Sequence, residues 1–189
     1  PVDAKALVMS VESRIRRYRE LADLINRDAM TGLLKHSSFL EQAEGILSRS
    51  RRDQQPLAFV MLDIDWFKKV NDSYGHSVGD RVIKALAGFL RQSVRQADLV
   101  GRYGGEEFAL VLQECSEEDA RVKMDELRRK FSSLEFPSED ESFNCSVSIG
   151  IAIKDRNPER RASDFIELAD QALYQSKRAG RNRVSVLVS

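Results

Sequence analysis

Apolar residues recur with a period of seven over the first 26 residues. Charged residues lie between the apolar ones, which is the pattern of a coiled coil. The apolar positions are Ala4, Val8, Val11, Ile15, Tyr18, Ala22 and Ile25. We expect a helical stalk over residues 1–26 that pairs two chains. Leu7, Leu21 and Leu24 widen the apolar stripe and keep open the alternative that the helix packs on its own domain.

After the stalk, the pattern predicts helices and strands in mixed order. Residues 57–62 form a continuous apolar run typical of a strand buried on both faces. Short apolar runs at 99–102 and 108–112 flank a glycine turn and predict a hairpin. Further strands are expected at 143–153 and 184–188, and helices from near Ser38 and over 78–94, 120–131 and 165–173.

These elements predict an α+β fold over residues 27–189, with a mixed central sheet flanked by helices. Ser38 and Glu41 have the spacing of a capping box, which places the first helix of this domain near Ser38. The polar stretches 132–142 and 154–162 are expected to be surface loops.

Charge and composition limit the possible partners. The chain of 189 residues has 30 basic and 30 acidic residues, so the basic excess expected of a protein that binds nucleic acid is missing. The two cysteines are expected to be buried or half-buried thiols in a reducing compartment. No apolar run reaches the ~20 residues that span a bilayer. We expect no membrane span in this chain and a cytoplasmic location, and leave open an anchor upstream of Pro1.

Acidic residues stand where apolar ones are expected. Asp63 and Asp65 follow the buried strand directly, and Glu106 and Glu107 follow the glycine turn of the hairpin. An unpaired buried carboxylate costs several kcal/mol, as an order of magnitude, so a cation is expected nearby. If the hairpin lies beside the central strand, Asp63 and Glu106 converge. Oxygen ligands of this type suit Mg²⁺, which also binds substrate phosphates.

Cationic and backbone groups complete a possible phosphate site. Lys177 and Arg181 lie one helical turn apart; the alternative is that they merely interact with a helix dipole. Trp66, Phe67 and Lys68 follow Asp65 in what is expected to be a tight turn, whose N–H groups are suited to phosphate oxygens.

Several spaced motifs resemble one known family. Residues 104–108 read GGEEF, which is similar to the signature of the GGDEF domain. Residues 63–72 read DIDWFKKVND and are followed by Gly75-His76 and Gly79-Asp80, as in the family's DxDxFKxxND…GHxxGD stretch. The SIG triplet at 148–150 and the ADQALY and KRAGRN segments at 169–174 and 177–182 also match. The resemblance extends from about residue 28 to 186.

The resemblance implies a diguanylate cyclase, which condenses two GTP into cyclic di-GMP and pyrophosphate with Mg²⁺ or Mn²⁺. It also implies a fold like the palm of polymerases and nucleotidyl cyclases. Carried over by position, it assigns metal binding to Asp63, Glu106 and the carbonyl of Ile64, a further catalytic acid to Glu107, guanine contacts to Asn71 and Asp80, and phosphate contacts to Lys177 and Arg181. Phe67 and Lys68 are expected to contribute to substrate binding through the turn.

Simpler structural roles remain possible for some of these residues. Asp80 follows Ser77 by three and fits a helix-capping arrangement. Asn71 and Asp72 fit a turn pair, and Asp65 fits local hydrogen bonding. The loop at 28–36 departs from the family, because Lys35 and His36 replace Asn and Arg, and this loop is associated with coupling between stalk and domain.

A second ligand site is implied by the RxxD spacing of Arg95 and Asp98, in the family's register for product inhibition. The alternative is an ordinary surface ion pair. A further arginine from the following helix often completes such a site, and Arg121, Arg128 and Arg129 are candidates between which the sequence does not choose.

The cyclase is therefore compared with two alternatives. The signature acids favour the cyclase, which requires two GTP-loaded domains to meet and thus a homodimer through the stalk and the catalytic faces. The first alternative is a catalytically silent receptor domain for GTP or cyclic di-GMP, which degenerate signature acids would indicate. The second is an interaction module that works through the coiled coil, a role that is compatible with catalysis.

Overall fold

The computed structural model describes residues 4–138 and 141–187. Its helices are α1 (Ala4–Asn26), α2 (His36–Arg52), α3 (Phe67–Tyr74), α4 (His76–Ser93), α5 (Glu117–Ser132) and α6 (Ala162–Arg178). Its strands are β1 (Leu34–Lys35), β2 (Leu57–Ile64), β3 (Leu99–Arg102), β4 (Glu107–Gln113), β5 (Glu135–Phe136), β6 (Phe143–Asn144), β7 (Val147–Ile153) and β8 (Val184–Leu187).

Six strands form one mixed sheet in the order β1-β3-β4-β2-β7-β8. The outer pairs β1–β3 and β7–β8 are parallel, and the inner pairs are antiparallel. Strands β5 and β6 form a separate small hairpin sheet. The predicted α+β class, with a mixed central sheet flanked by helices, is confirmed, as is the β3–β4 hairpin.

Strand β2 lies at the centre, and all eight of its residues are buried. Successive side chains of a strand point to opposite faces. Residues 57, 59 and 61 therefore pack in the core with α2 and α6. Residues 58, 60, 62 and 64 pack with α3, α4 and α5 on the other face. Burial on both faces explains why this strand is a continuous apolar run rather than an alternating one.

Helix boundaries differ from the sequence prediction at two places. Helix α2 begins at His36, and the hydroxyl of Ser38 donates to the side chain of Asn26 at 2.9 Å instead of capping the helix. The capping-box prediction is therefore wrong, because a tertiary partner competes for the hydroxyl. Residues 67–74, expected to begin in a turn, form helix α3, which buries Phe67 and Val70.

The predicted strand over 143–153 is split, and the loop before it is partly structured. Phe143 belongs to β6, where it stacks on Tyr74 with ring centroids 4.1 Å apart. Phe136, in the stretch predicted to be a loop, is buried in β5 and stacks on Phe143. The stacking of Phe143 on Tyr74 and Phe136 thus separates β6 from β7, although the alternating pattern predicted one continuous strand.

Helix α1 carries the predicted stripe. Val8, Val11, Ile15 and Ile25 are 45–70% exposed, so these four side chains do not pack on their own domain. The side chains of Ala4, Tyr18 and Ala22 lie outside the described residues. Pairing through this helix stays a prediction. Among the described residues, no helix is both long and apolar enough to cross a membrane.

Both cysteines are free and buried, as expected. Burial, with a smaller contribution from the charge of Asp65, raises the pKa of Cys145 to about 11. The thiolate is therefore suppressed at neutral pH, and Cys145 serves as a small core residue.

Helix α6 touches strand β7 at Gly150. A Cβ atom at this position would lie 2.1 Å from both the carbonyl oxygen of Ala169 and the amide nitrogen of Leu173. The hydroxyl of Ser176 then donates to the carbonyl of Ile149 at 2.7 Å. The last turn of α6 is thereby fixed against the sheet.

Substituting Gly150→Ala is expected to destabilise the fold by about 3 kcal/mol, since backbone atoms of α6 must move to admit the methyl group. Urea unfolding followed by circular dichroism measures this. The matched control is Gly88→Ala in α4, where a Cβ meets nothing within 4 Å; a gain of up to about 1 kcal/mol is expected there. Equal stability of the two variants would contradict the close approach.

Candidate active site

Three carboxylates meet where β2 ends and β4 begins. Asp63 is the direct register partner of Glu107 on the neighbouring strand. The carbonyl of Glu106 accepts a hydrogen bond from the amide of Ile64 at 3.4 Å. The structure thus places Asp63, Ile64, Glu106 and Glu107 together, as the sequence predicted. They lie at the edge of the sheet that is formed by strand ends, where β2 ends and β4 begins. The glycine turn leaves room for the side chain of Glu107, since a Cβ atom on Gly104 would lie 2.4 Å from one of its carboxylate oxygens.

Burial and mutual repulsion make these acids harder to ionise. Burial raises the pKa of Asp63 even though Lys177 opposes the effect. Burial raises the pKa of Glu106 as well, and the charges of Asp63 and Glu107 add to it. The pKa of Glu107 is raised by burial and then by Asp63. Negative charge is therefore concentrated here and favours a cation.

Lys177 supplies one positive charge. Its ammonium lies 2.8 Å from Asp63 Oδ2, and it follows Ser176, which ties α6 to β7. This ion pair joins the last turn of α6 to the end of β2. Lys177 is thus more than a partner of the helix dipole. Arg181 lies in the following turn, and its guanidinium sits 3.9 Å from the ring centroid of Trp66.

Asp65 is a buried hub. It is 3% exposed and accepts hydrogen bonds from the hydroxyls of Ser146 and Ser148, both at 2.6 Å. It also accepts from the amide of Asn182 at 3.0 Å. Asp65 thus has the structural hydrogen-bonding role that the sequence left open, although its partners are more than 80 positions away along the chain. Asp65 joins the ends of β2 and β7 to the turn that carries Arg181.

The proposed base-binding residues lie on α3 and α4. Asn71 is inside α3, so it is not part of a turn, and its Oδ1 lies 1.9 Å from the position of a Cβ on Gly79. Asp80 follows Gly79 within α4, which starts after Gly75 without a side-chain cap. The capping interpretation of Asp80 is therefore wrong. The missing side chain at Gly79 lets Asn71 lie against α4 at the residue before Asp80.

The remaining turn residues differ in exposure. Phe67 is 7% exposed and belongs to the core, whereas Lys68 is exposed on the first turn of α3. Because its side chain is buried, Phe67 can support a ligand pocket only from the core side. Lys68 is free to reach solvent or a ligand.

The predicted second site forms a turn between α4 and β3. The backbone amide of Arg95 donates to Asp98 Oδ2 at 2.9 Å, and the amide of Gln113 donates to Oδ1 at 3.0 Å. The ion pair of Asp98 is with Lys123, at 3.2 Å, rather than with the guanidinium of Arg95. Lys123 lies on α5 and was not among the residues predicted for this site.

The three candidate arginines on α5 form pairs on their own helix. Arg121 pairs with Glu118 at 2.8 Å. Arg128 and Arg129 pair with Asp125 at 2.7 and 2.6 Å. A cavity of about 490 Å³ next to Arg95 and Asp98 is lined by two other arginines, Arg27 and Arg91, and by none of these three.

Arg102 connects the base of the stalk to the acidic turn. Its guanidinium donates to both oxygens of Asp28 at 3.2 Å and to the carbonyl of Gly105 at 2.6 Å. Lys35 donates from its ammonium to the carbonyl of Leu24 in the last part of α1, at 3.0 Å. Arg102 was not among the residues predicted from the sequence. The sequence signal for it is a cationic residue at the end of a strand, next to an acidic turn.

The chain is similar to known proteins in both sequence and fold. The family model of the diguanylate cyclase GGDEF domain matches residues 25–183, and the chain therefore belongs to this family. The diguanylate cyclase DgcP of Pseudomonas aeruginosa is 39% identical over 184 residues, which cover 97% of this chain and 26% of that protein. The chain spans between 16% and 46% of the length of three curated relatives.

Two solved structures are also similar. The coiled coil and GGDEF domain of DgcB from Caulobacter crescentus, in complex with c-di-GMP, matches with a TM-score of 0.83 and 27% identity, covering 97% of this chain and 98% of that one. The active GGEEF domain of a diguanylate cyclase from Vibrio cholerae matches with a TM-score of 0.75 and 30% identity, covering 82% and 97%. The family resemblance and the fold are confirmed.

Replacing Asp65 by Ala is expected to cost about 3 kcal/mol of folding free energy, because two hydroxyls and one amide lose a charged acceptor. Denaturant unfolding measures the loss. Asp72→Ala, which removes an exposed carboxylate from α3, is the control and is expected to change stability by less than about 0.5 kcal/mol. If Asp65→Ala unfolded at the same denaturant concentration as the parent, the role of Asp65 in holding these segments together would be contradicted.

Proposed function

We propose that this chain is the catalytic domain of a diguanylate cyclase, which joins two GTP into cyclic di-GMP and releases two pyrophosphates. The observation that carries the proposal is the meeting of Asp63, Glu106 and Glu107 at one sheet edge, with Lys177 paired to Asp63 at 2.8 Å. All three signature acids are present, in a chain that belongs to the GGDEF family.

The donor set fits a hard divalent cation. Asp63, Glu106 and the carbonyl of Ile64 would hold Mg²⁺ or Mn²⁺, since these ions prefer oxygen ligands. Within residues 4–138 and 141–187, no cluster of three or more His, Cys, Asp or Glu side chains is arranged as a metal site. The remaining ligands of the cation would be supplied by phosphate and water. The cation would act as a Lewis acid on phosphate oxygens.

The nucleotide would extend from α6 to α4. Lys177 and Arg181 would bind the terminal phosphates, and the first turn of α3, at Phe67 and Lys68, would add backbone N–H donors. Asn71 and Asp80 would bind the guanine edge, because guanine offers both donors and acceptors to an amide and a carboxylate. The contact of Asn71 with Gly79 supports this pairing.

One domain holds one GTP, so two domains must face each other. In each half, the 3′-oxygen of one nucleotide forms a bond to the α-phosphorus of the other, and the bond from that phosphorus to the bridging oxygen breaks. Pyrophosphate leaves, and the proton of the hydroxyl is lost to a basic group or to water. Glu107 would act beside the reacting groups as a further catalytic acid residue.

Product would also bind the Arg95–Asp98 turn and inhibit the enzyme. The proposal is supported by the cavity beside these residues. Asp98 already accepts from Lys123 and from two backbone amides, so product must displace Lys123 if it is to bond the carboxylate.

The function is tested by incubating the chain with GTP and Mg²⁺ and separating the products by chromatography. Cyclic di-GMP is expected from the parent, and at least about 100-fold less from Glu107→Gln. Glu114→Gln, an exposed acid after β4, is the control with parental activity. Parental turnover by Glu107→Gln would contradict the role of this acid. Bound GTP without any product from the parent would favour the silent receptor.

Pairing through α1 is proposed to raise the frequency with which two domains meet. The exposed stripe at Val8, Val11 and Ile15 supports it, as does the likeness to a solved coiled coil with a GGDEF domain.

Val11→Glu with Ile15→Glu is expected to weaken the dimer, because two charges enter the apolar seam. Sedimentation equilibrium measures the dimer, and specific activity should fall most at low protein concentration. The control, Ser10→Glu with Ser13→Glu, adds the same charge off the stripe. An unchanged dimer in the first variant would exclude pairing through α1.

A further inference from the structure

The single tryptophan of the chain is exposed beside the acidic site. Trp66 is 62% exposed, although tryptophan is usually buried over most of its surface. Its ring lies 3.9 Å from Cζ of Arg181, which is well within the range of a cation–π contact. Neither core packing nor the chemistry of the carboxylates explains an indole at this position.

The contact is built by two unusual turns. Trp66 has φ +58° and Arg181 has φ +63°, a left-handed conformation that is uncommon for residues other than glycine. Asp65, next to Trp66, accepts from the amide of Asn182, next to Arg181, at 3.0 Å. One buried carboxylate therefore holds both turns together and brings the indole and the guanidinium into contact.

The remaining contacts of Arg181 leave its charge available. Its Nη1 donates weakly to the carbonyl of Lys177 at 3.5 Å. Over residues 4–138 and 141–187, the structure gives Arg181 no ion pair with a carboxylate within 4 Å. A carboxylate would occupy its donors and neutralise it. An aromatic face holds the flat side of the guanidinium and leaves the N–H groups, which lie in its plane, free for phosphate oxygens.

We propose that Trp66 is a positioning residue, whose ring orients Arg181 towards the polyphosphate of the nucleotide. The inference rests on the proposed function, because phosphate binding by Arg181 is part of it. It assigns Trp66 no direct contact with reacting atoms. It also makes the fluorescence of this one tryptophan a reporter of the occupancy of Arg181.

The spectroscopic test uses inorganic tripolyphosphate and a GTP analogue with a methylene group between the α- and β-phosphates, each with Mg²⁺. A saturable change in tryptophan emission is expected in the parent, and its loss in Arg181→Met. Arg178→Met removes a charge three residues away on α6 and should keep the response. Calorimetry on the same samples shows independently whether the probes bind.

The kinetic test compares Trp66→Ala with Trp66→Phe. Trp66→Ala is expected to raise KM for GTP about two- to fivefold while kcat changes less than about twofold, and Trp66→Phe should restore most of the affinity because it keeps a ring. Tyr174→Ala is the matched control, because Tyr174 is 61% exposed and also has an arginine, Arg178, over its ring at 5.9 Å. Thermal unfolding of each variant separates loss of fold from loss of affinity.

The outcomes separate this inference from the proposed function. Cyclic di-GMP from the parent, together with a parental KM in Trp66→Ala and no emission response to bound analogue, would overturn the role of Trp66 and leave the cyclase intact. If the parent made no cyclic di-GMP, the proposed cyclase activity would be ruled out. In that case an emission response to tripolyphosphate that Arg181→Met abolishes still supports the contact as a phosphate-positioning pair, and its absence overturns it.

Discussion

The buried carboxylate of Asp65 is the constraint on which this site depends. A charge that is 3% exposed is stable only if its oxygens are fully bonded, and Asp65 takes two hydroxyls and one amide. These donors come from the β6–β7 connection, β7 and the turn after α6. The carboxylate thus fixes segments that are far apart in the chain, and it does so directly beside Asp63. Lys177, Arg181 and Trp66 take their positions from this arrangement.

The electrostatic design follows from that framework. Acids at the ends of β2 and β4 repel one another, while Lys177 neutralises only part of their charge. Such a cluster, held rigidly on strands, is suited to a ligand that brings both a divalent cation and a polyanion. Arg102 adds a mechanical connection, because it binds Asp28 at the base of the stalk and Gly105 in the acidic turn. One side chain thus links the segment after the stalk to the turn that carries the acids.

Much of the fold and of the candidate site could be predicted from the sequence, and there are physical reasons for the features that could not. The apolar run of β2 and the glycine turn are local signals, so the central strand, the hairpin and, with the hairpin beside β2, the convergence of Asp63 and Glu106 were predictable. The register that pairs Asp63 directly with Glu107 was not predicted. The role of Asp65 was not, because its partners are set by sheet topology. Helix α3 was missed because it is short and because the residue before it, Trp66, has a left-handed conformation. Lys123 was missed because its pairing with Asp98 depends on where α5 crosses the sheet.

We propose that the acidic edge binds a triphosphate much more tightly together with a divalent cation than without one. Isothermal titration of the methylene GTP analogue, with Mg²⁺ and with Mg²⁺ removed by a chelator, tests it most directly. Binding is expected to be at least about tenfold tighter with Mg²⁺, a difference of about 1.4 kcal/mol, because the cation offsets the repulsion between the acids and the phosphates. Equal affinity under both conditions would contradict this proposal, and would mean that Lys177 and Arg181 alone hold the nucleotide.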